Sequence, residues 1–140
     1  MRITVFVLLL TLMTVPGWAE EKVPDSIVLG GHKFTLETYM WRDFMPISPP
    51  GGKPLIATVT LASKGHEMEA PKVTWEALEL WQDGKCVWKT ELQSEGRRGS
   101  ARGGPKLDPG SLVTAVVGFC DASGKQYRLK AENQLIHRTD

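Results

Sequence analysis

Histidine and methionine side chains provide the most specific chemistry in this sequence. His66 and Met68 stand two residues apart, so in an extended segment an imidazole and a thioether can reach one soft metal ion. His32 and Met45 are candidate ligands upstream. One interpretation is therefore Cu(I) binding by His32, Met45, His66 and Met68. In the other, Met45 packs in the core, and both histidines are solvated turn residues beside glycines.

The spacing of these residues resembles the motif of exported copper chaperones with a cupredoxin-like fold. In that family a His and nearby Met residues are followed by a His-x-Met. Here His32 is followed after twelve residues by Met45, and after twenty more by His66-x-Met68. The similar portion covers Gly31 to Met68. The resemblance implies a copper site that includes His66 and Met68.

The two cysteines, Cys86 and Cys120, offer a second constellation. In an exported chain an even pair of this kind most often forms a disulfide. The bridge would close a loop of 35 residues, for which chain entropy assigns roughly 3.5 to 4 kcal/mol of stabilisation. The sequence therefore predicts a disulfide between Cys86 and Cys120.

The densest group of aromatic and charged residues is Trp41-Arg42-Asp43-Phe44. In one interpretation it is a partner-binding loop, in which Arg42 and Asp43 present charge between two aromatic anchors. In the favoured one, Trp41 and Phe44 cover one end of the fold, and Arg42 and Asp43 pair at the surface. With the Pro-Pro-Gly-Gly-Lys-Pro-Leu that follows, this segment is similar to small uncharacterised exported bacterial proteins with an immunoglobulin-like sandwich. That resemblance implies no activity.

Enzyme signatures and nucleic-acid signatures are both missing from the sequence. There is no Gly-x-Ser-x-Gly, no His-Glu-x-x-His and no phosphate-binding glycine loop. The 17 Lys and Arg, which include Arg2 of the N-terminal segment, nearly balance 16 Asp and Glu, a balance that does not favour nucleic acid. Residues 96–109 hold four basic side chains among glycines, which predicts a flexible basic loop. A solvated connection is favoured there over a site for anionic polysaccharide or lipid headgroups.

Residues 1–19 have the layout of a cleavable secretory signal. Arg2 precedes the apolar run 3–15, which is too short to span a membrane, and Gly17-Trp18-Ala19 supplies a small-x-small cleavage site. We expect cleavage after Ala19 and a secreted protein, periplasmic in bacteria, with no membrane span after cleavage.

The elements that must position these side chains are short strands. Residues 33–38 and 55–61 alternate apolar and polar side chains, and 111–120 is almost continuously apolar. Residues 126–130 and 134–137 are further strand candidates. Six or seven strands and no helical pattern predict an antiparallel immunoglobulin-like β-sandwich. Residues 20–26 are expected to be a mobile leader and 27–140 a single domain.

Asp83-Gly84 is the strongest turn signal, since a type I′ hairpin needs positive φ at both central residues. A two-residue loop would place Trp81 opposite Cys86, Glu79 opposite Trp88 and Leu80 opposite Val87. Trp81 and Trp88 would then flank the disulfide.

The function predicted from the sequence is that of an exported binding or interaction module without catalytic activity or cofactor. Its partner is expected to be a protein or a cell-envelope component. A periplasmic copper-binding protein using His66-x-Met68 is the alternative.

Overall fold

The computed structural model describes residues 22–47, 49–63 and 70–140. Its regular elements within these ranges are β-strands, so the predicted all-β class is confirmed. The predicted signal peptide, residues 1–19, lies outside them. The strands are β1 (Ile27–Leu29), β2 (His32–Asp43), β3 (Leu55–Ala62), β4 (Thr74–Gln82), β5 (Lys85–Glu91), β6 (Gln93–Glu95), β7 (Arg98–Gly104), β8 (Leu112–Cys120) and β9 (Gln126–Thr139).

The strands form one mixed sheet in the order β5-β4-β8-β9-β2-β3-β7-β6, with β1 added to β2. The described strands pair antiparallel except β2 and β9, which are parallel. The structure therefore has more strands than the predicted six or seven, and the β2–β9 pair departs from the predicted antiparallel pattern. Asn133, at φ 56°, adopts the left-handed conformation that asparagine tolerates. Asn133 lies within β9, which pairs first with β8 and then, over Ile136–Thr139, with β2.

The sheet curls so that its two ends meet over one core. β4 contacts both β6 and β7, and the Leu92 amide donates a hydrogen bond of 3.0 Å to the carbonyl of Glu76. Alternation along the strands supplies the apolar side chains, as the sequence predicts for β3, where every second residue is buried. The largest fully buried side chains are Phe34, Phe119, Met40, Leu55, Leu78, Leu80, Leu129, Ile136, Val59, Val116 and Val117.

The hairpin formed by β4 and β5 confirms the Asp83-Gly84 turn. Both residues have positive φ, 52° and 78°, and Trp81 pairs with Cys86 as predicted. The rest of the predicted register is wrong, because an irregularity between Leu80 and Trp81 shifts the pairing and sets Leu80 opposite Trp88.

The predicted disulfide is wrong, because Cys86 and Cys120 are both free thiols. They flank opposite ends of β4: Cys86 pairs with Trp81, whereas Cys120 pairs with Thr74. At the rise of an extended strand, these two β4 positions are about 20 Å apart. A disulfide needs Cα atoms within about 7 Å, so this topology does not allow the bridge.

Half of the predicted basic loop 96–109 is a strand, because β7 occupies Arg98–Gly104. Its glycines provide room for indole rings. A Cβ on Gly99 would lie 2.7 Å from Cγ of Trp75, and one on Gly104 would lie 2.8 Å from Cζ3 of Trp88. Glycine is therefore required here for the close approach of rings to a strand rather than for flexibility.

The predicted mobile leader is attached to the body over its described part. Val23 is buried, and the Lys130 amide donates a hydrogen bond of 2.9 Å to the carbonyl of Pro24. A buried apolar side chain and a backbone bond both restrain a terminal segment.

Candidate functional site

The fold separates two of the four predicted copper ligands. His32 begins β2, and Met45 lies two residues beyond the end of that strand at Asp43. A strand of this length spans about 35 Å, so His32 and Met45 cannot bind the same ion. His66 and Met68 lie outside the described residues. Within residues 22–47, 49–63 and 70–140, no group of three or more His, Cys, Asp or Glu side chains is arranged to hold a metal ion.

His32 instead lines a cavity of about 600 Å³ that has mainly apolar walls. Asp121 also faces this cavity, but its carboxylate is already engaged. It accepts hydrogen bonds from Ser123 Oγ (2.7 Å), the Ser123 and Lys125 amides and Tyr127 Oη. These bonds, the one from the Ser123 side chain foremost, lower the pKa of Asp121 to about 2. Asp121 therefore holds the turn between β8 and β9.

The residues of the predicted partner-binding segment do not share one surface, because side chains alternate between the two sides of β2. Arg42 points inward and is 4% exposed. Its guanidinium donates to the carbonyls of Lys53 (3.0 Å), Leu107 (3.0 Å) and Gly51. The predicted surface pair of Arg42 with Asp43 is therefore wrong. A buried guanidinium satisfied by three carbonyls ties the 44–54 connection to the sheet and is not presented to a partner.

Asp43 and Phe44 also serve this connection. Asp43 lies 3.8 Å from Nζ of Lys53 and accepts a hydrogen bond of 3.0 Å from the Met45 amide. The Phe44 ring contacts the guanidinium groups of Arg42 and Arg138, whose Cζ atoms lie 4.7 and 4.2 Å from its centroid. Such cation–π contacts stabilise a half-buried ring. Phe44 thus fastens the connection over one end of the sheet, as the covering interpretation predicts.

Trp41 belongs to a different surface, the outer side of β2. Because Met40 and Arg42 point inward, Tyr39 and Trp41 point outward, and Trp41 pairs with His137 of β9. The ring centroids of Tyr39 and His137 are 4.7 Å apart at an interplanar angle of 29°, and those of Tyr39 and Trp41 are 5.1 Å apart. We call Tyr39, Trp41 and His137 the outer aromatic face.

A cleft of about 340 Å³ adjoins Tyr39. It forms where β9 diverges from β2, since β9 pairs only with residues 40–43 and β1 only with residues 32–34 on that edge. Thr38 Oγ1 donates a 2.5 Å hydrogen bond to Gln134 Oε1 across the gap. The cleft is lined by Leu36, Glu37, Thr38, Tyr39, Thr58, Thr60 and Gln134.

No family model, curated protein or solved structure matches this chain. The outer aromatic face and its cleft are therefore the features of the molecule that indicate a function. The part of the chain that the structure describes has no apolar helix of membrane-spanning length.

The sequence offers Trp41 as a candidate partner contact, in the interpretation that is not favoured there, but it does not indicate Tyr39, His137 or Gln134. The alternation of residues 33–38 continues to Asp43, and following it would have placed Tyr39 and Trp41 on one side of a longer strand. His137 and Gln134 have no such local signal, because the parallel pairing of β2 with β9 joins residues almost a hundred positions apart.

Proposed function

We propose that this chain is an exported binding module whose ligand contacts the outer aromatic face and the adjoining cleft. The observation that carries the proposal is the Tyr39 ring, which is 46% exposed although it stacks on His137 and touches Trp41. Aromatic rings that are already ordered offer a large contact area at little further cost in conformational entropy. Exposed apolar clusters of this kind typically mark interaction sites.

Further apolar surface lies on the neighbouring strands. Leu112 of β8 and Leu135 of β9 are paired in register, and both are exposed. Residues paired across two strands lie on the same side of the sheet. Leu135 and His137, two residues apart on β9, also share a side. The uncovered surface therefore continues from the outer aromatic face toward β8.

The hydroxyl groups beside the rings support binding rather than catalysis. Thr38 donates its hydroxyl hydrogen to Gln134, and Thr58 donates to the carbonyl of Tyr39 at 3.3 Å. An amide or carbonyl oxygen is too weak a base to activate a hydroxyl nucleophile. These groups are suited to positioning a ligand through hydrogen bonds.

Export and the single domain are part of this proposal. The signal layout of residues 1–19 supports a mature chain that begins at Glu20 and acts in a periplasmic or extracellular space. One continuous core supports a single domain over residues 27–140. We propose that β5-β4-β8-β9 and β2-β3-β7-β6 pack as the two layers of a sandwich, since this core draws side chains from both groups.

The copper alternative gains no support from the described residues. Because β2, a strand about 35 Å long, lies between His32 and Met45, the four-ligand set is reduced to His66 and Met68 with at most one of the others. The outer aromatic face has no role in that alternative.

The proposal is tested by co-sedimentation of residues 20–140 with washed envelopes of the source cells. The double variant Tyr39→Ala, His137→Ala should bind about tenfold more weakly or worse, as expected when central aromatic contacts are lost. Val28→Ala is the matched control, because Val28 is 66% exposed on β1 and outside the outer aromatic face. Equal sedimentation of the double variant and the unchanged chain, with both folded by circular dichroism, would contradict the proposal.

A further inference from the structure

We infer that the ligand of the outer aromatic face is a neutral saccharide chain. This inference rests on the proposed function and names the chemical class that the site would bind. It is carried by two features that adjoin each other, a stacked ring platform and a cleft of hydroxyl and amide groups.

The ring platform suits the apolar side of a sugar. A pyranose ring presents C–H groups on its faces and hydroxyls around its rim, so one face can pack against an aromatic ring while the rim stays polar. Tyr39 is held by His137 at 4.7 Å and by Trp41 at 5.1 Å between ring centroids. The platform is therefore ordered before the ligand arrives, which limits the entropic cost of binding.

The cleft suits the hydroxyl rim. Its polar lining residues are three threonines, Gln134, Tyr39 and one acidic residue, Glu37. Glu37 is the one charged side chain of the lining, and a carboxylate repels phosphate and acidic ligands. Thr38, Thr58 and Gln134 already donate hydrogen bonds to Gln134 Oε1 and to the carbonyls of Tyr39 and Glu132. Their side-chain oxygens can still accept hydrogen bonds, which suits the hydroxyl hydrogens of a sugar. A cleft of about 340 Å³ is within the size range of small-ligand sites.

An extended peptide is the competing ligand, because residues 35–39 of β2 have no paired strand on the cleft side among the described residues. A peptide strand could add to such an edge. However, the 2.5 Å hydrogen bond from Thr38 to Gln134 crosses the path that this strand would follow. β1 and β9 also bound the gap at both ends, leaving about 17 Å of open edge. A sugar that rests on the rings requires neither the loss of this hydrogen bond nor a longer open edge.

The inference is tested by titrating ¹⁵N-labelled residues 20–140 with chitotetraose, cellotetraose and maltotetraose. At least one should give saturable shifts confined to β2, β3 and residues 134–139. Tyr39→Ala should weaken that binding by about tenfold or more, and Gln134→Ala by roughly threefold to tenfold. Tyr39→Phe keeps the ring and should retain binding within about threefold, which separates loss of the platform from loss of the fold. Val28→Ala should bind as the unchanged chain does.

The outcomes separate this inference from the proposed function. If none of the three oligosaccharides binds or competes, while envelope binding still depends on Tyr39 and His137, the saccharide is wrong and the binding module stands. Binding by Tyr39→Ala equal to that of the unchanged chain would overturn the site. Shifts at the amides of residues 35–39 on addition of an extended envelope peptide, with no response to the sugars, would favour β-strand addition instead.

Discussion

Trp75 and Tyr39 both project from strands of the same sheet, but the fold covers one ring and leaves the other open. Trp75 is 3% exposed, lies against Gly99 and donates a 3.2 Å hydrogen bond to the carbonyl of Arg97. Tyr39 stacks on His137 and remains nearly half exposed. The comparison indicates that the covered ring stabilises the fold, whereas the open ring is free to contact a ligand.

The covered rings form a chain that extends across the core. Trp75 lies 5.2 Å from Phe119 between ring centroids, and Phe119 lies 5.5 Å from Tyr127. Tyr127 in turn donates its phenol hydrogen to Asp121 at 3.0 Å. The chain thus connects the β7 glycines to the turn between β8 and β9. Changes anywhere along it should lower stability strongly, and changes on the outer aromatic face should lower it much less.

The largest effect is expected for removal of a covered ring. Trp75→Ala should lower the free energy of unfolding by about 3 to 5 kcal/mol, since it leaves a large cavity. Tyr39→Ala should lower it by only about 1 kcal/mol, because the half-exposed ring loses its stacking on His137 and its contact with Trp41. Urea denaturation of both variants gives the comparison. Equal losses would show that the open ring is also structural.

A smaller loss should follow from filling the space under Trp75. Gly99→Ala should destabilise by about 1 to 3 kcal/mol, because the new methyl group overlaps the indole ring. Gly118→Ala on β8 is the matched control, since its Cβ would meet only the carbonyl oxygen of Tyr127 at 3.9 Å. The difference between the urea midpoints of these two variants measures the cost of placing a methyl group between β7 and the Trp75 indole ring. If Gly99→Ala is no less stable than Gly118→Ala, the indole does not pack as described.

Asp121, at the end of the ring chain, should make the stability of the protein decrease at low pH. The pKa of Asp121 is lowered from 3.8 to about 2, so its stabilising bonds are fully present above pH 4 and are lost as the pH falls through 2. Asp121→Asn should therefore be less stable than the unchanged chain at pH 6. The gap should narrow toward pH 2, as measured by thermal unfolding at both pH values. If the difference in stability between Asp121→Asn and the unchanged chain is the same at both pH values, the Asp121 carboxylate is not its cause.

The smallest effect is expected for the cysteines. Burial, followed by the nearby Glu76 carboxylate, raises the pKa of the Cys120 thiol. Cys86 is exposed on β5. Cys86→Ser and Cys120→Ser should each change the free energy of unfolding by about 0.5 kcal/mol or less, because no bridge is lost. Denatured, non-reduced protein should show both thiols in a colorimetric assay. An intramolecular disulfide found by peptide mass mapping would contradict the strand register.

The sequence predicts some local features correctly, but neither the long-range pairings nor most of the β4–β5 register. The Asp83-Gly84 turn and the alternation of β3 follow from neighbouring residues alone. The parallel pairing of β2 with β9 joins distant residues and has no sequence signature. The misreading of Gly99 and Gly104 has another cause, because glycine in a loop and glycine beneath an indole look alike until the facing strand is known.

The candidate site could likewise be predicted only in part, because it depends on pairings between distant residues. Trp41 was singled out because aromatic and charged residues cluster around it, but Arg42 and Phe44 of that cluster are used by the fold. The cysteine pair was misassigned because their separation depends on their register along β4. Tyr39 becomes notable only when His137 is placed beside it.

Hydroxyl-radical footprinting of residues 20–140 on envelope particles tests the central claim most directly. Tyr39 and Met45 are each 46% exposed, but only Tyr39 belongs to the outer aromatic face. The account predicts that envelopes protect Tyr39 and Trp41 from oxidation and leave Met45 as reactive as in the free protein. Unchanged oxidation of Tyr39 in the bound protein, or protection centred on Met45, would contradict it.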